Sequence, residues 1–160
     1  MKNRFILLAS IALLGIAAPC ASAQALVVFA DKTFRPSLQE IVPLFTQQTG
    51  FEVDLSWGRS AALAERIIRA TVPPDLFFPD SETAMQQVVE KGLVDVALKR
   101  NIVLMPAAEP TEEGVVPEPQ YTSAAVLLNA TNRLQAMAFL EFLASEPARA
   151  AFARQGFALP

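Results

Sequence analysis

Histidine is absent from these 160 residues, and cysteine, tryptophan and tyrosine occur once each. Without imidazole, serine, cysteine and metal chemistry that relies on that ring is excluded. The single thiol, Cys20, lies in the first 23 residues, so a chain that loses them has no disulfide. Long apolar runs are missing too: the stretch from Phe5 to Ala18 is shorter than the roughly 20 residues that span a bilayer. No zinc or Walker motif is present, and the acidic residues are scattered without a nucleophile–base pair, which points away from an enzyme.

What the N-terminus does contain is Lys2 and Arg4, an apolar stretch, and the small-residue triplet Ala21-Ser22-Ala23. This three-part layout is that of a secretory signal peptide over residues 1–23, cleaved after Ala23, and it predicts work in the periplasm. A lipoprotein would use Cys20, but Pro19 stands before it where a small residue is wanted. The remaining 137 residues are enough for one core, hence one domain. Removing Lys2 and Arg4 leaves 11 basic against 16 acidic residues, a net charge near −5. That balance argues against nucleic acid and anionic membranes as partners.

Along the mature chain, Leu26 to Ala30 is a continuous apolar run of the kind buried on both faces of a sheet. Leu38, Ile41, Val42 and Phe45 then mark an amphipathic helix, with Thr33 and Ser37 ahead of it, Pro43 inside it and Gly50 as its stop. The cycle repeats. Phe51 to Ser56 reads as a strand and Leu63, Ile67 and Ala70 as a helix capped by Ser60. Asp75 to Phe78 follows as a strand, then Asp80 or Ser81 as a cap, Met85, Val88 and Val89 as a buried stripe, and Gly92 as terminator. Three strand–helix units imply a parallel sheet flanked by helices.

A further strand is expected at Ile102 to Met105. Residues 106–121 then hold four prolines and four glutamates without apolar period, as in a linker or exposed loop. Thr122 to Leu128 reads as a strand, Leu134 to Leu143 and Pro147 to Gln155 as helices, with Pro147 in a first turn. The chain divides into a first α/β part, residues 24–105, the linker 106–121, and a C-terminal strand and helices, 122–160.

In parallel α/β sheets, ligands collect beyond the carboxyl ends of the strands. Two loops there carry hydroxyls near helix starts: Phe29 to Phe34, with Lys32 and Thr33, and Ser56 to Ser60, with Gly58, Arg59 and Ser60. Unpaired N–H groups and a helix dipole would hold a small anion there. Gly58 would let backbone approach the ligand, and Lys32 and Arg59 would add charge at the mouth. The plainer alternatives are that the hydroxyls are caps, the basic side chains are solvated, and Trp57 is a core or rim aromatic.

Several segments, in order, resemble the periplasmic molybdate-binding proteins of ABC transporters, the type II solute-binding class. They are Leu26 to Ala30 with Leu38 to Gly50, Leu55 to Ala64, Pro74 to Asp80, Val89 to Val94, Arg100 to Leu104, and the tail from Ala138 to Phe157. The resemblance implies an α/β fold, here a single three-layer lobe with a mostly parallel sheet flanked by helices. It implies a binding protein for molybdate, tungstate or a related oxyanion, partnered with a transporter permease and needing no cofactor. Thr33 and Ser60 fall where the family places two anion-binding serines. Molybdate and tungstate carry no proton at neutral pH and only accept hydrogen bonds, so hydroxyls and N–H groups suit them.

Two departures stand out from that pattern. The family's first loop is small and uncharged, whereas this one carries Asp31 and Lys32, and Arg59 replaces a frequent glycine. A carboxylate at Asp31 repels a dianion unless it turns away or pairs with Lys32. Residues 106–121 also stand where the family has a second lobe. That leaves an uncovered half-site, which implies weak capture as a monomer and an open face that a second copy or another protein would cover. The alternative reading is an accessory module that keeps the lobe without anion binding.

Overall fold

The first strand, β1 (Leu26–Asp31), alternates its side chains between two apolar layers, and that alternation organises the fold. Val28 and Ala30 join one buried cluster with Phe34, Leu38, Ile41, Phe45, Phe139 and Phe152. Phe29 points to the other, with Leu63, Ile67, Phe77, Met85 and Val88. A strand buried on both faces has no polar side, which is why Leu26 to Ala30 is a continuous apolar run. The computed structural model describes residues 24–105 and 120–158. The expected signal peptide and nearly all of the expected linker lie outside these residues.

Helix α1 (Arg35–Thr49) follows β1 through one short turn, Lys32–Phe34, and buries Leu38, Ile41 and Phe45. Pro43 sits within it. Gly50 ends it at φ 75°, its N–H bonded to the Thr46 carbonyl at 2.8 Å, a left-handed cap that a Cβ would disfavour. Strand β2 (Val53–Gly58) and helix α2 (Ser60–Arg69) form the second unit, β3 (Leu76–Phe78) and α3 (Glu82–Glu90) the third. Of the two caps considered for α3, Ser81 is the one used, its Oγ accepting the Ala84 N–H. Strand β4 (Val94–Leu104), strand β5 (Tyr121–Leu127) and helices α4 (Arg133–Leu143) and α5 (Glu146–Arg154) complete the order.

The sheet order is β2-β1-β3-β5-β4. β1 pairs in parallel with β2 and β3, while β5 runs antiparallel to both β3 and β4, so β5 alone opposes the other four strands. Helices α1, α4 and α5 pack their apolar stripes on one face, α2 and α3 on the other. The result is one three-layer α/β lobe with a mostly parallel sheet, as expected. Phe34 and Phe78 stack at 4.2 Å with planes 2° apart, and Phe152 meets both edge-on. These contacts lock the first turn after β1 between β3 and α5.

Four local features differ from the sequence expectation. β4 begins at Val94, eight residues before the expected strand, because it is an edge strand whose middle, Asp95 to Asn101, is largely polar and partly exposed. An edge strand needs no apolar run. Tyr121, read as the linker's last residue, opens β5. Ser60 does not cap α2; Arg59 takes the cap position without a side-chain bond, and Ser60 is the first helical residue. Likewise α1 has Phe34 at its cap position, while Ser37 is buried inside its first turn.

Candidate functional site

Because β2, β1 and β3 are adjacent and parallel, their carboxyl ends open on one edge of the sheet. Asp31 is the last residue of β1 and pairs in register with Gly58, the last of β2. Asp80 follows β3 by two residues. Four donors from two loops converge at this edge, and Asp31 is their acceptor. Its Oδ1 accepts the Thr33 N–H at 2.9 Å and the Thr33 hydroxyl at 2.8 Å. Its Oδ2 accepts the Ser60 N–H at 2.7 Å and the Ser60 hydroxyl at 2.9 Å. Each carboxylate oxygen thus receives one backbone and one hydroxyl donor.

The arrangement has a simple physical origin. The Ser60 N–H belongs to the first turn of α2, where no intrahelical acceptor exists, and it carries the positive end of the helix dipole. The Thr33 N–H is likewise unclaimed at the start of its turn, which Asp31 caps. A carboxylate placed between them makes charge-assisted bonds, and with residue exposure of only 2% Asp31 is almost fully withdrawn from water. Asp31 therefore neither turns away from the site nor pairs with Lys32; it points into the cradle. The carboxylate thus takes the donors that both turns offer.

Ser60 serves a second carboxylate. Its Oγ lies 2.6 Å from Asp80 Oδ1 and accepts the Asp80 N–H at 2.8 Å. A hydroxyl has one proton, so it donates to Asp31 or to Asp80 at any instant. Ser60 therefore joins the ends of the three adjacent parallel strands through β1's Asp31, its own N-terminal position after β2, and Asp80 beyond β3.

The other expected site residues lie around this centre without entering it. Lys32 and Arg59 are exposed, and neither makes an ion pair with another described residue. Gly58 is required by packing: a Cβ there would sit 2.8 Å from Leu63 Cδ2 and 2.9 Å from its Cγ. The space its hydrogen leaves belongs to Leu63 of α2. Trp57 is half-buried against the α1 side of the core, with the Arg35 guanidinium 5.7 Å from its ring centre. The structure thus brings Thr33 and Ser60 together and leaves Lys32 and Arg59 at the rim.

The two carboxylates were not among the residues expected to form the site. For Asp31 a signal existed: an Asp two residues before a Thr, at a strand end, is the pattern of a side chain that bonds forward to its own backbone. Its reach to Ser60, 29 residues on, depends on the parallel pairing of β1 and β2. Among the described residues there is no group of three or more acidic or cysteine side chains able to hold a metal ion. None of their helices is long and apolar enough to cross a membrane.

A groove of about 690 Å³ runs along α3 and the start of β5, lined by Glu82, Gln86, Glu90 and Tyr121 among others. None of its lining residues is among those that form the cradle. At its head, Glu82 pairs with Lys99 of β4 and accepts the Ser123 hydroxyl of β5 at 2.9 Å, tying α3 to both strands.

Solved structures of the same architecture bind different solutes. A periplasmic molybdate-binding protein of Azotobacter vinelandii matches with a TM-score of 0.72 at 13% identity, over 85% of this chain and 100% of that one. The sulfate-binding protein SubI of Mycobacterium tuberculosis matches at 0.63 and 14%, over 83% and 86%. Iron-bound HitA of Pseudomonas aeruginosa matches at 0.60 and 12%, over 81% and 84%. At such identities the likeness is one of fold. No curated protein matches the chain. A family profile does, over residues 26–111 and 99–158, which together take in both the first three strand–helix units and the C-terminal strand and helices. The chain therefore belongs to the bacterial extracellular solute-binding protein family.

Proposed function

We propose that this protein is a periplasmic solute-binding lobe of the oxyanion class, of the molybdate or tungstate type, serving an ABC importer. The observation that carries this reading is the convergence of two N–H groups and two hydroxyls, from Thr33 and Ser60, on one point at the carboxyl edge of the sheet. Such a donor set matches an anion that only accepts hydrogen bonds. The similarity to molybdate- and sulfate-binding proteins agrees with it. Capture is weak in the isolated chain, because a single lobe leaves the ion facing water and Asp31 must give up its donors.

Thermal shift in chelator-free buffer tests the proposal. Molybdate or tungstate is expected to raise Tm more than sulfate or phosphate do, through preferential binding to the folded state. Thr33→Ala with Ser60→Ala is expected to abolish the anion-dependent part. No shift with any of the four anions at millimolar concentration overturns the reading.

A second reading is favoured by the buried Asp31 carboxylate itself: an accessory module whose cradle is satisfied internally and whose open face meets another protein or a second copy. Light scattering after size exclusion separates the self-association branch. A dimer supports a second copy as the missing wall, and a strict monomer with and without anion removes it.

A further inference from the structure

We propose that the Asp31 carboxylate is the resident occupant of the Thr33–Ser60 cradle, so that this one side chain sets how tightly the cradle accepts any other anion. The inference rests on reading the cradle as an anion site, and it adds the residue that controls that site.

Each Asp31 oxygen lies 2.7–2.9 Å from one N–H and one hydroxyl, the Ser60 hydroxyl being shared with Asp80. A ligand using the same donors must displace both oxygens at once. The carboxylate is tethered to the end of β1, so it competes as an intramolecular group at high effective concentration, and the competition reaches every anion alike. Removing the carboxylate while keeping the backbone leaves a space of the size of a formate ion between the same donors. The cradle then takes small carboxylates and, through one O–X–O edge, tetrahedral oxyanions.

Two neighbours shape that response. Asp80, 2.6 Å from the Ser60 hydroxyl, shares that hydroxyl's one proton with the incoming anion, which also meets the two N–H groups and the Thr33 hydroxyl. Lys32 and Arg59, exposed at the rim, supply positive charge to a ligand that Asp31 no longer repels.

The test compares wild type, Asp31→Ala and Asp31→Asn with formate, acetate, sulfate and molybdate, reading Tm and calorimetric affinity. Asp31→Ala is expected to have a lower Tm without anion and to recover it with formate, binding at least about tenfold tighter than wild type. Asp31→Asn keeps the bulk and places an NH2 group against the donors, so it is expected to lose stability without rescue. Adding Ser60→Ala to Asp31→Ala is expected to weaken the gained binding.

A folded Asp31→Ala protein that binds none of the four anions more tightly than wild type overturns the inference. If Asp31→Ala fails to fold even with formate, wild type decides: the amide resonances of Thr33 and Ser60 should stay unmoved by formate up to about 10 mM, and a response within that range overturns the inference. The outcomes separate it from the functional reading. Wild type binding molybdate as tightly as Asp31→Ala sinks the occupant and keeps oxyanion capture. Formate rescue of Asp31→Ala with no oxyanion bound by wild type sustains the occupant and sinks the capture reading.

Discussion

Asp75 and Asn132, 57 residues apart, are joined by two hydrogen bonds: the Asn132 N–H donates to Asp75 Oδ1 at 2.7 Å and its side-chain amide to Oδ2 at 3.0 Å. Asp75 Oδ2 also accepts the Val27 N–H at 2.9 Å, and the Asn132 amide reaches the Ala25 carbonyl at 3.2 Å. This cluster lies at the amino end of β3, on the sheet edge opposite the cradle, and fastens the returning C-terminal segment to β1. Asp75→Ala strands three N–H donors, two of them buried in the protein. The expected cost is about 2–4 kcal/mol, read as a lower urea midpoint at unchanged slope.

Gly58→Ala is expected to destabilise by about 1–3 kcal/mol through overpacking, since the new Cβ meets the buried Leu63 at 2.8 Å. Leu63→Val in the same chain should recover part of that loss, so the double variant falls short of the sum of the singles. Strict additivity in the denaturation midpoints would show that the clash is relieved elsewhere.

Ser60→Ala removes the hydroxyl that serves both Asp31 and Asp80. The expected loss is about 1–3 kcal/mol. Arg59→Ala, at an exposed position one residue away, should lie within about 0.5 kcal/mol of wild type. Equal effects of the two substitutions on Tm would contradict the hydrogen-bond assignment.

Asp95 supplies a pH dependence whose sign follows from its partner. Its hydrogen bond to the Arg133 guanidinium is the main cause that holds its pKa below the ordinary 3.8, opposed by desolvation and assisted by the Ala97 N–H. A depressed folded-state pKa contributes stability that is fully present above the unfolded value and lost as pH falls through the folded one. The Arg133→Gln variant is therefore expected to differ from wild type in Tm at pH 6, with the gap shrinking as pH drops below about 4. A gap that is constant from pH 6 to 2 would rule out Asp95 as its source.

Gly50→Ala tests the helix end. At φ 75° a side chain is strained even with open space around it, and the expected cost is about 1 kcal/mol. A change of Tm within error would mean the α1 terminus relaxes to another cap.

Much of the architecture is legible in the sequence because its determinants are local. The apolar run of β1, the 3.6-residue stripes of α1, α2 and α3, and the stops at Gly50 and Gly92 each follow from side chains within a few residues of one another. β4 was less legible, since pairing with β5 at Val94 and again from Lys99 to Asn101, and not hydrophobicity, carries the strand through its polar middle. The sequence also names Thr33 and Ser60 as hydroxyls near the right sheet edge. Their common acceptor is a different matter. Asp31 lies within two residues of Thr33 but 29 from Ser60, and only the parallel register of β1 with β2 brings Ser60's N–H and hydroxyl to the same carboxylate. Hydrogen bonds of this kind depend on tenths of an ångström between strands, whereas patterning fixes only which face a residue takes. The residue types thus placed hydroxyls and unclaimed N–H groups at this edge, and the tertiary structure decided that the acceptor they share is the chain's own carboxylate.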